Sequence, residues 1–215
     1  MEQLENLKNE LAFRFRSKFL GKIPLRHSAP EFKPDPQEIK VYDSVLDAAG
    51  LPRHFERVID VGCRNWSYLP SLISHFDSSF IGVEVDVFRR NLNMHRRLDY
   101  LKAAVSYAKK MGVEAGFAAQ DFRKLRFRET KSTLVLFFFP FVSSNPCLKW
   151  GLPTSFSDFS ELVEAAKKIP GITHIASVHL GNWELSLAEK AYRECGLTTV
   201  EKKGSPYPIL ISETF

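Results

Sequence analysis

The sequence predicts an α/β fold: a doubly wound, mostly parallel seven-stranded sheet with an antiparallel last strand, helices on both faces, and an N-terminal helical extension. Three observations carry this. Short runs rich in β-branched and apolar residues, RVIDV (57–61), FIGVEVD (80–86) and ITHIASV (172–178), alternate with segments of helical periodicity, which is the pattern of βαβ units. TLVLFFFPFV (133–142) is continuously apolar, as expected of a central strand buried on both faces. The chain then closes as a helix (NWELSLAEKAYREC), a strand (TTVEKK), a turn (GSPYP) and a last strand (ILISETF).

Residues 1–21 carry Leu4, Leu7, Leu11, Phe15 and Phe19 at helical spacing, so an amphipathic helix is expected there. Packing of its apolar face on the core is the default expectation, with a partner or a membrane surface as the other possibilities. Pro24, Pro30, Pro34 and Pro36 make 22–36 an irregular connection. A second helix is expected over 37–49, with Ile39, Val45, Leu46 and Ala49 facing inward and Gly50 stopping it. A long helix is expected over 89–111, ended by Gly112, and a third strand in AGFAAQD, ending at Asp121. After the fourth strand, SSNPCLKWGLPTSF reads as a loop at the mouth of the site. Ser157 is placed to cap a helix with Phe159, Leu162, Val163 and Ala166 inward.

At 215 residues the chain suits one domain of residues 38–215 with an extension and Pro-rich connection of residues 1–37. No apolar stretch approaches the roughly 20 residues needed to span a membrane. No signal-peptide pattern opens the chain, and its three cysteines, Cys63, Cys147 and Cys195, are too few and scattered for a disulfide framework. A reducing cytoplasm is the expected setting. The net charge of +5 is uneven: residues 87–131 hold twelve Lys/Arg against Asp99, Glu114, Asp121 and Glu129. The pairs Arg89-Arg90 and Arg96-Arg97, with the run RKLRFR ending at Arg128, form either a footprint for a nucleic acid or an ordinary solvated face.

The segment RVIDVGCRNW (57–66) carries the most chemistry. It reads as a buried strand ending at Asp60, with Gly62 two residues on, and ligands of open α/β sheets bind outside such carboxyl ends. Glu84 lies 22 residues beyond Gly62, near the end of the second strand. That is the spacing at which such folds set an acid on the ribose hydroxyls of an adenosine.

These residues resemble the first motifs of the class I S-adenosylmethionine-dependent methyltransferases, in which an acid is followed by glycines at alternate positions. Gly62 stands at the first glycine, but Arg64 and Trp66 stand at the second and third. Neither adopts positive φ cheaply, so the loop is expected to be shaped differently or the helix to begin early. The Asp121 acid and the closing helix and hairpin extend the resemblance over residues 38–215. It implies S-adenosylmethionine as cofactor. Asp60 and Gly62 would hold its amino-acid side, Glu84 its ribose, and Asp121 with Phe122 its adenine, with Cys63, Arg64, Asn65, Val85 and Phe139 completing the set. An Arg64 guanidinium suits either the methionine carboxylate of that cofactor or Asp60.

The resemblance implies in-line methyl transfer from a sulfonium, which needs positioning more than a fixed triad. The methyl acceptor is not named by the sequence. Family members that methylate amino groups often carry Asn/Asp-Pro-Pro-aromatic after the fourth strand, whereas this chain has Phe139-Pro140-Phe141. His179 suits either a general base or a hydrogen-bonded structural histidine. The histidines and cysteines have no metal-ligand spacing, so no metal is expected. The rival reading is a non-catalytic protein of the same fold that binds a nucleic acid or protein partner through its basic face. A nicotinamide-dependent oxidoreductase would need G-x-G-x-x-G, whose second and third glycines are missing here.

Overall fold

The computed structural model describes residues 1–20, 30–91 and 95–213. Seven strands form one sheet in the order β3-β2-β1-β4-β5-β7-β6: β1 (His54–Val61), β2 (Asp77–Val83), β3 (Ala115–Ala118), β4 (Thr133–Phe138), β5 (Ile172–Val178), β6 (Val200–Lys202) and β7 (Ile209–Glu213). β1 to β5 pair in parallel, and β7 runs antiparallel between β5 and β6. The expected fold class is therefore the observed one.

Alternation along β4 shows why the sheet is covered on both faces. Leu134, Leu136 and Phe138 point to one side, where they join residues of α2 (Pro36–Ala49), α3 (Leu69–His75) and α4 (Arg97–Lys110). Val135 and Phe137 point to the other and meet α6 (Phe159–Lys167) and α7 (Asn182–Glu194). A strand buried on both faces has to be apolar at every position, and β4 is buried throughout.

Local chemistry sets the helix ends. Asp35 caps α2, accepting from the backbone N–H of Gln37 (2.9 Å) and Glu38 (3.2 Å), with Pro36 in the first turn and Gly50 at φ 60° behind the last. The α6 cap is Asp158, not Ser157: Asp158 Oδ1 accepts the Glu161 N–H at 3.1 Å, while the Ser157 hydroxyl donates back to Thr154 O. The helix expected over 89–111 is also shorter. It starts at Arg97, because Arg90 and Arg96 pair as an antiparallel bridge and Asp99 accepts the Arg96 N–H at 2.9 Å. Most of the Pro-rich connection lies outside the described residues.

α1 (Glu2–Lys18) departs furthest from expectation. Its polar side, not its apolar stripe, faces the domain. Asn9 is buried and donates to Leu148 O and Leu152 O, Asn6 Oδ1 accepts the Thr154 N–H, and Arg16 reaches Asp86. Leu4, Leu7, Leu11, Phe15 and Phe19 are exposed. Among the described residues, no helix is long and apolar enough to cross a membrane.

Candidate functional site

The strand order turns back between β1 and β4, and a cavity of about 290 Å3 lies just beyond the carboxyl ends there. Gly62 and Arg64 after β1, Glu84 and Val85 after β2, and Phe139 and Pro140 after β4 line it. Asp121 and Phe122 form a further side. The loop that follows β4 roofs it through α5 (Ser144–Lys149), Trp150, Leu152 and Phe156. Most of the wall is apolar and aromatic.

The loop after β1 keeps a glycine-like backbone without the glycines. Gly62 lies at φ 83°, Arg64 at 52° and Trp66 at 56°. Each non-glycine residue there costs about 1–3 kcal/mol and persists only where the surroundings over-determine it. They do so here. Trp66 is fully buried, and its Nε1 donates to Asp60 Oδ2 at 2.8 Å. The Arg64 N–H donates to Glu84 Oε2 (3.0 Å), and its guanidinium pairs with Glu38 of α2 (2.7 Å). Opposite Trp66, β2 carries Gly82: a Cβ there would lie 2.8 Å from Cys63 Sγ and 3.2 Å from the Trp66 ring. The expectation of a reshaped loop or an early helix is thus corrected, and α3 starts only at Leu69.

Asp60 ends up beneath the loop. It is 1% exposed, accepts from Trp66 Nε1 and from the Tyr68 hydroxyl (2.8 Å), and keeps Oδ1 without a partner. Burial pushes its carboxyl up to about 7, with the bonds from Tyr68 and Trp66 pulling the other way. Tyr68 in turn stacks on Tyr42 of α2, ring centroids 3.7 Å apart.

Glu84 is 4% exposed but borders the cavity. Its Oε1 accepts the Asp86 N–H (2.8 Å) and lies 3.3 Å from Arg97 Nη1, while Oε2 accepts the Arg64 N–H. An ionised carboxylate offers about four acceptor positions, so Oε2 retains one. Asp86 is held by Arg16 of α1 through two bonds, Nε at 3.0 Å and Nη2 at 3.1 Å. Arg16 also donates to Gly151 O and Arg89 to Trp150 O, so one polar cluster ties α1, β2 and the roof together. Asp121 caps a short 3-10 turn, Phe122–Lys124, and takes Arg123 on both oxygens.

No family model matches the sequence, and no curated protein matches it in sequence. Solved structures do match in fold. A SAM-dependent methyltransferase from Aquifex aeolicus superposes with a TM-score of 0.54 at 14% identity, over 83% of this chain and 93% of that one. The chain has the fold of the class I S-adenosylmethionine-dependent methyltransferases. A putative RNA methyltransferase from Pyrococcus horikoshii matches at a TM-score of 0.51 and 13% identity, covering 94% of each chain. Human N-acetylserotonin methyltransferase in complex with SAM matches at 0.50 and 14%, over 80% of this chain and 51% of that one.

Within this methyltransferase fold, the candidate residues divide. Gly62, Arg64, Glu84, Val85, Asp121, Phe122 and Phe139 line the cavity; Asp60, Cys63 and Asn65 do not. Arg64 pairs with Glu38, not with Asp60. His179 is a core histidine: it is fully buried, Nε2 lies 2.8 Å from Ser177 Oγ, and burial lowers it to about 4. The basic region is partly spent within the fold, Arg89 on Trp150 O, Arg96 on Asp99, Arg97 on Glu84 and Arg123 on Asp121 and Glu161. The sequence reading missed Tyr42, Arg97, Trp150 and Phe156 as cavity residues and Arg16 and Asp86 as their support. Asp86 had a visible signal, as a second acid at the end of a strand, while Arg16 had none, since its partner is 70 residues away.

The cavity fits an adenosine-bearing cofactor by its donor set. Glu84 retains an acceptor on Oε2 for a ribose hydroxyl, Phe122 and Val85 offer apolar faces, and Gly62 has open space where a Cβ would stand.

Proposed function

We propose that this chain is an S-adenosylmethionine-dependent methyltransferase acting on a small, flat, largely apolar acceptor. The observation that carries it is the cavity at the β1/β4 turning point, bordered at once by Gly62, Glu84 and Phe122. When bound, the cofactor supplies an activated methyl group on a sulfonium. This chain's part would then be to position: Glu84 would orient the ribose through its open acceptor, Phe122 and Val85 would give the base apolar surface, and the Arg64–Trp66 loop would hold the amino-acid side. Phe139, Phe141, Trp150 and Phe156 make the acceptor end aromatic, which supports a flat apolar acceptor over a polynucleotide. The carboxylates on the wall are already engaged: Glu84 as above, Asp121 by Arg123, and Glu184 by the Leu180 N–H at 2.7 Å. The acceptor is therefore one that attacks without a protein base, an anionic or neutral nucleophile whose proton, if any, leaves to water.

A second reading has an observation of its own. Three of the four acceptor positions of Glu84 are occupied within the protein, as suits a non-catalytic member of the fold. Calorimetric titration with S-adenosylmethionine and S-adenosylhomocysteine separates the two. The enzyme reading expects micromolar binding, lost in Val85→Trp, which fills the cavity without removing any bond of Glu84. A folded protein with no binding at millimolar ligand would favour the second reading.

A further inference from the structure

The roof of the cavity is fixed less by its own chain than by α1. Among the described residues, the backbone hydrogen bonds of residues 140–157 stay inside that segment, as in Leu152 N–H to Cys147 O and Ser157 N–H to Thr154 O. No strand pairs with it. Its two ends are anchored, by the Phe139 N–H on Val178 O and by the Asp158 cap of α6. Between them α1 supplies most of the ties. The Ser144 hydroxyl donates to Glu2 and the Thr154 N–H to Asn6, Asn9 donates to Leu148 O and Leu152 O, and Arg16 donates to Gly151 O. Phe13 packs edge-on against Phe156, centroids 5.2 Å apart. Outside the roof, α1 has a single polar tie among the described residues, the two bonds of Arg16 to buried Asp86 beyond the end of β2.

The space beneath is small. A cavity of about 290 Å3 lies at the foot of the range of roughly 300–1,000 Å3 that drug-sized ligands fill. That is room for one ligand, whereas methyl transfer needs a cofactor and an acceptor side by side. We infer that α1 and the roof form one lid, latched by Arg16 on Asp86, which opens as a unit to admit both ligands. The ligands' identity rests on the methyltransferase reading; the lid itself rests on the bonds. Opening breaks the Arg16 pair and the single bonds of Arg89 to Trp150 O and Arg123 to Ser155 O, but keeps every tie between α1 and the roof except none at the latch. Asp86 is not abandoned when Arg16 leaves, because Arg89 Nη1 stays 3.7 Å from it. Closing is favoured by Leu152 and Phe156, apolar lining residues that an open lid would expose to water. The latch also borders the wall that the ligand meets, since the Asp86 N–H donates to Glu84 Oε1. Ligand held at Glu84 and a closed latch therefore support one another.

Native-state hydrogen exchange of the full chain, without ligand, reads the lid directly. Amides of α1 and of residues 144–156 should open with one shared free energy, below that of β1 and β4. Arg16→Ala should speed both sets together by roughly tenfold or more. Asn6→Ala with Asn9→Ala should split them into two rates, because those bonds join the two parts. Unchanged circular dichroism would show that both variants fold. In the native chain, α1 amides exchanging independently of the roof, or roof amides opening only with the sheet, would overturn the inference. The same exchange is then followed with saturating S-adenosylhomocysteine, which should slow both sets together. Calorimetric binding without any slowing would also overturn it, because the lid would not respond to its ligand. No calorimetric binding, with the shared opening still present, would instead bring down the cofactor reading and leave the lid standing.

Discussion

Asp60 is held by two uncharged donors, and His179 by a serine, and both sit in the core. Their titrations oppose one another. Asp60 is raised to about 7, so between the unfolded value near 4 and pH 7 the folded state holds the extra proton, and stability falls as pH rises. The size is about 4 kcal/mol. His179 is lowered to about 4, so between pH 4 and 6.5 the unfolded state holds the extra proton, and stability rises with pH by about 3 kcal/mol. The two nearly cancel in the native protein. Urea unfolding at pH 4.5 and 6.5 should reveal each: Asp60→Asn makes stability climb with pH relative to the native protein, and His179→Gln makes it fall. Parallel pH profiles for all three proteins would show that neither residue titrates as its burial implies. A smaller residue tells the same story through shape. Gly82→Ala would press a methyl group on Cys63 and Trp66 and should lower stability by about 1–3 kcal/mol, read from the thermal midpoint. The sequence marked Asp60 and Gly62 as special through strand-end position. It did not show that Arg64 and Trp66 would take left-handed backbone, because the compensation comes from Glu38, Glu84 and Asp60, which only folding brings to them.

At the scale of elements, the order of strands and helices could be read directly from the sequence, but several limits could not: the second strand, expected over 80–86, runs Asp77–Val83, the fourth, expected over 133–142, ends at Phe138, and the segment expected as a loop after it holds α5. A buried strand must be apolar, and a cap needs a short acceptor before the first turn, so local residues carry the signal for both. Two helix starts are set by competing neighbours: Asp158 caps in place of Ser157, and the pairing of Arg90 with Arg96 delays the helix expected from 89 until Arg97. α1 was recognised as a helix, but its rotation was not. Its docking rests on the two-bond Arg16–Asp86 pair, whose removal leaves the buried carboxylate to Arg89 Nη1, 3.7 Å away. Arg16→Ala should free α1: limited proteolysis within residues 2–18 should speed up by roughly tenfold or more while the sheet stays resistant, as local opening free energies predict. If cleavage there is unchanged, the asparagine bonds suffice and Arg16 is not the main clamp.

The whole molecule places an aromatic-lined cavity where a parallel sheet reverses its order, with a roof, residues 144–156, that is itself strapped by α1. Loss of the strap should therefore be felt at the cavity. In Arg16→Ala, any cofactor affinity measured for the native chain should weaken although Arg16 is not one of the cavity's lining residues, because Asp86 and Glu84 share one backbone turn. Equal affinity in both proteins would show the roof and the strap to be independent.

By itself the sequence determined what depends on near neighbours and on burial. It set the alternation of strands and helices, the buried central strand, the strand-end residues Asp60, Glu84 and Asp121, and the existence of an apolar stripe on α1. Tertiary structure alone decided where those groups spend their bonds. It sent Asp60 under the loop, Arg64 to Glu38, most of Glu84 to backbone N–H groups and Arg97, His179 into the core, and the α1 stripe outward. The physical reason is range: periodicity and propensity act over a few residues, whereas a buried charge takes whichever partner the chain carries to it, and that partner's distance along the sequence leaves no mark on either residue.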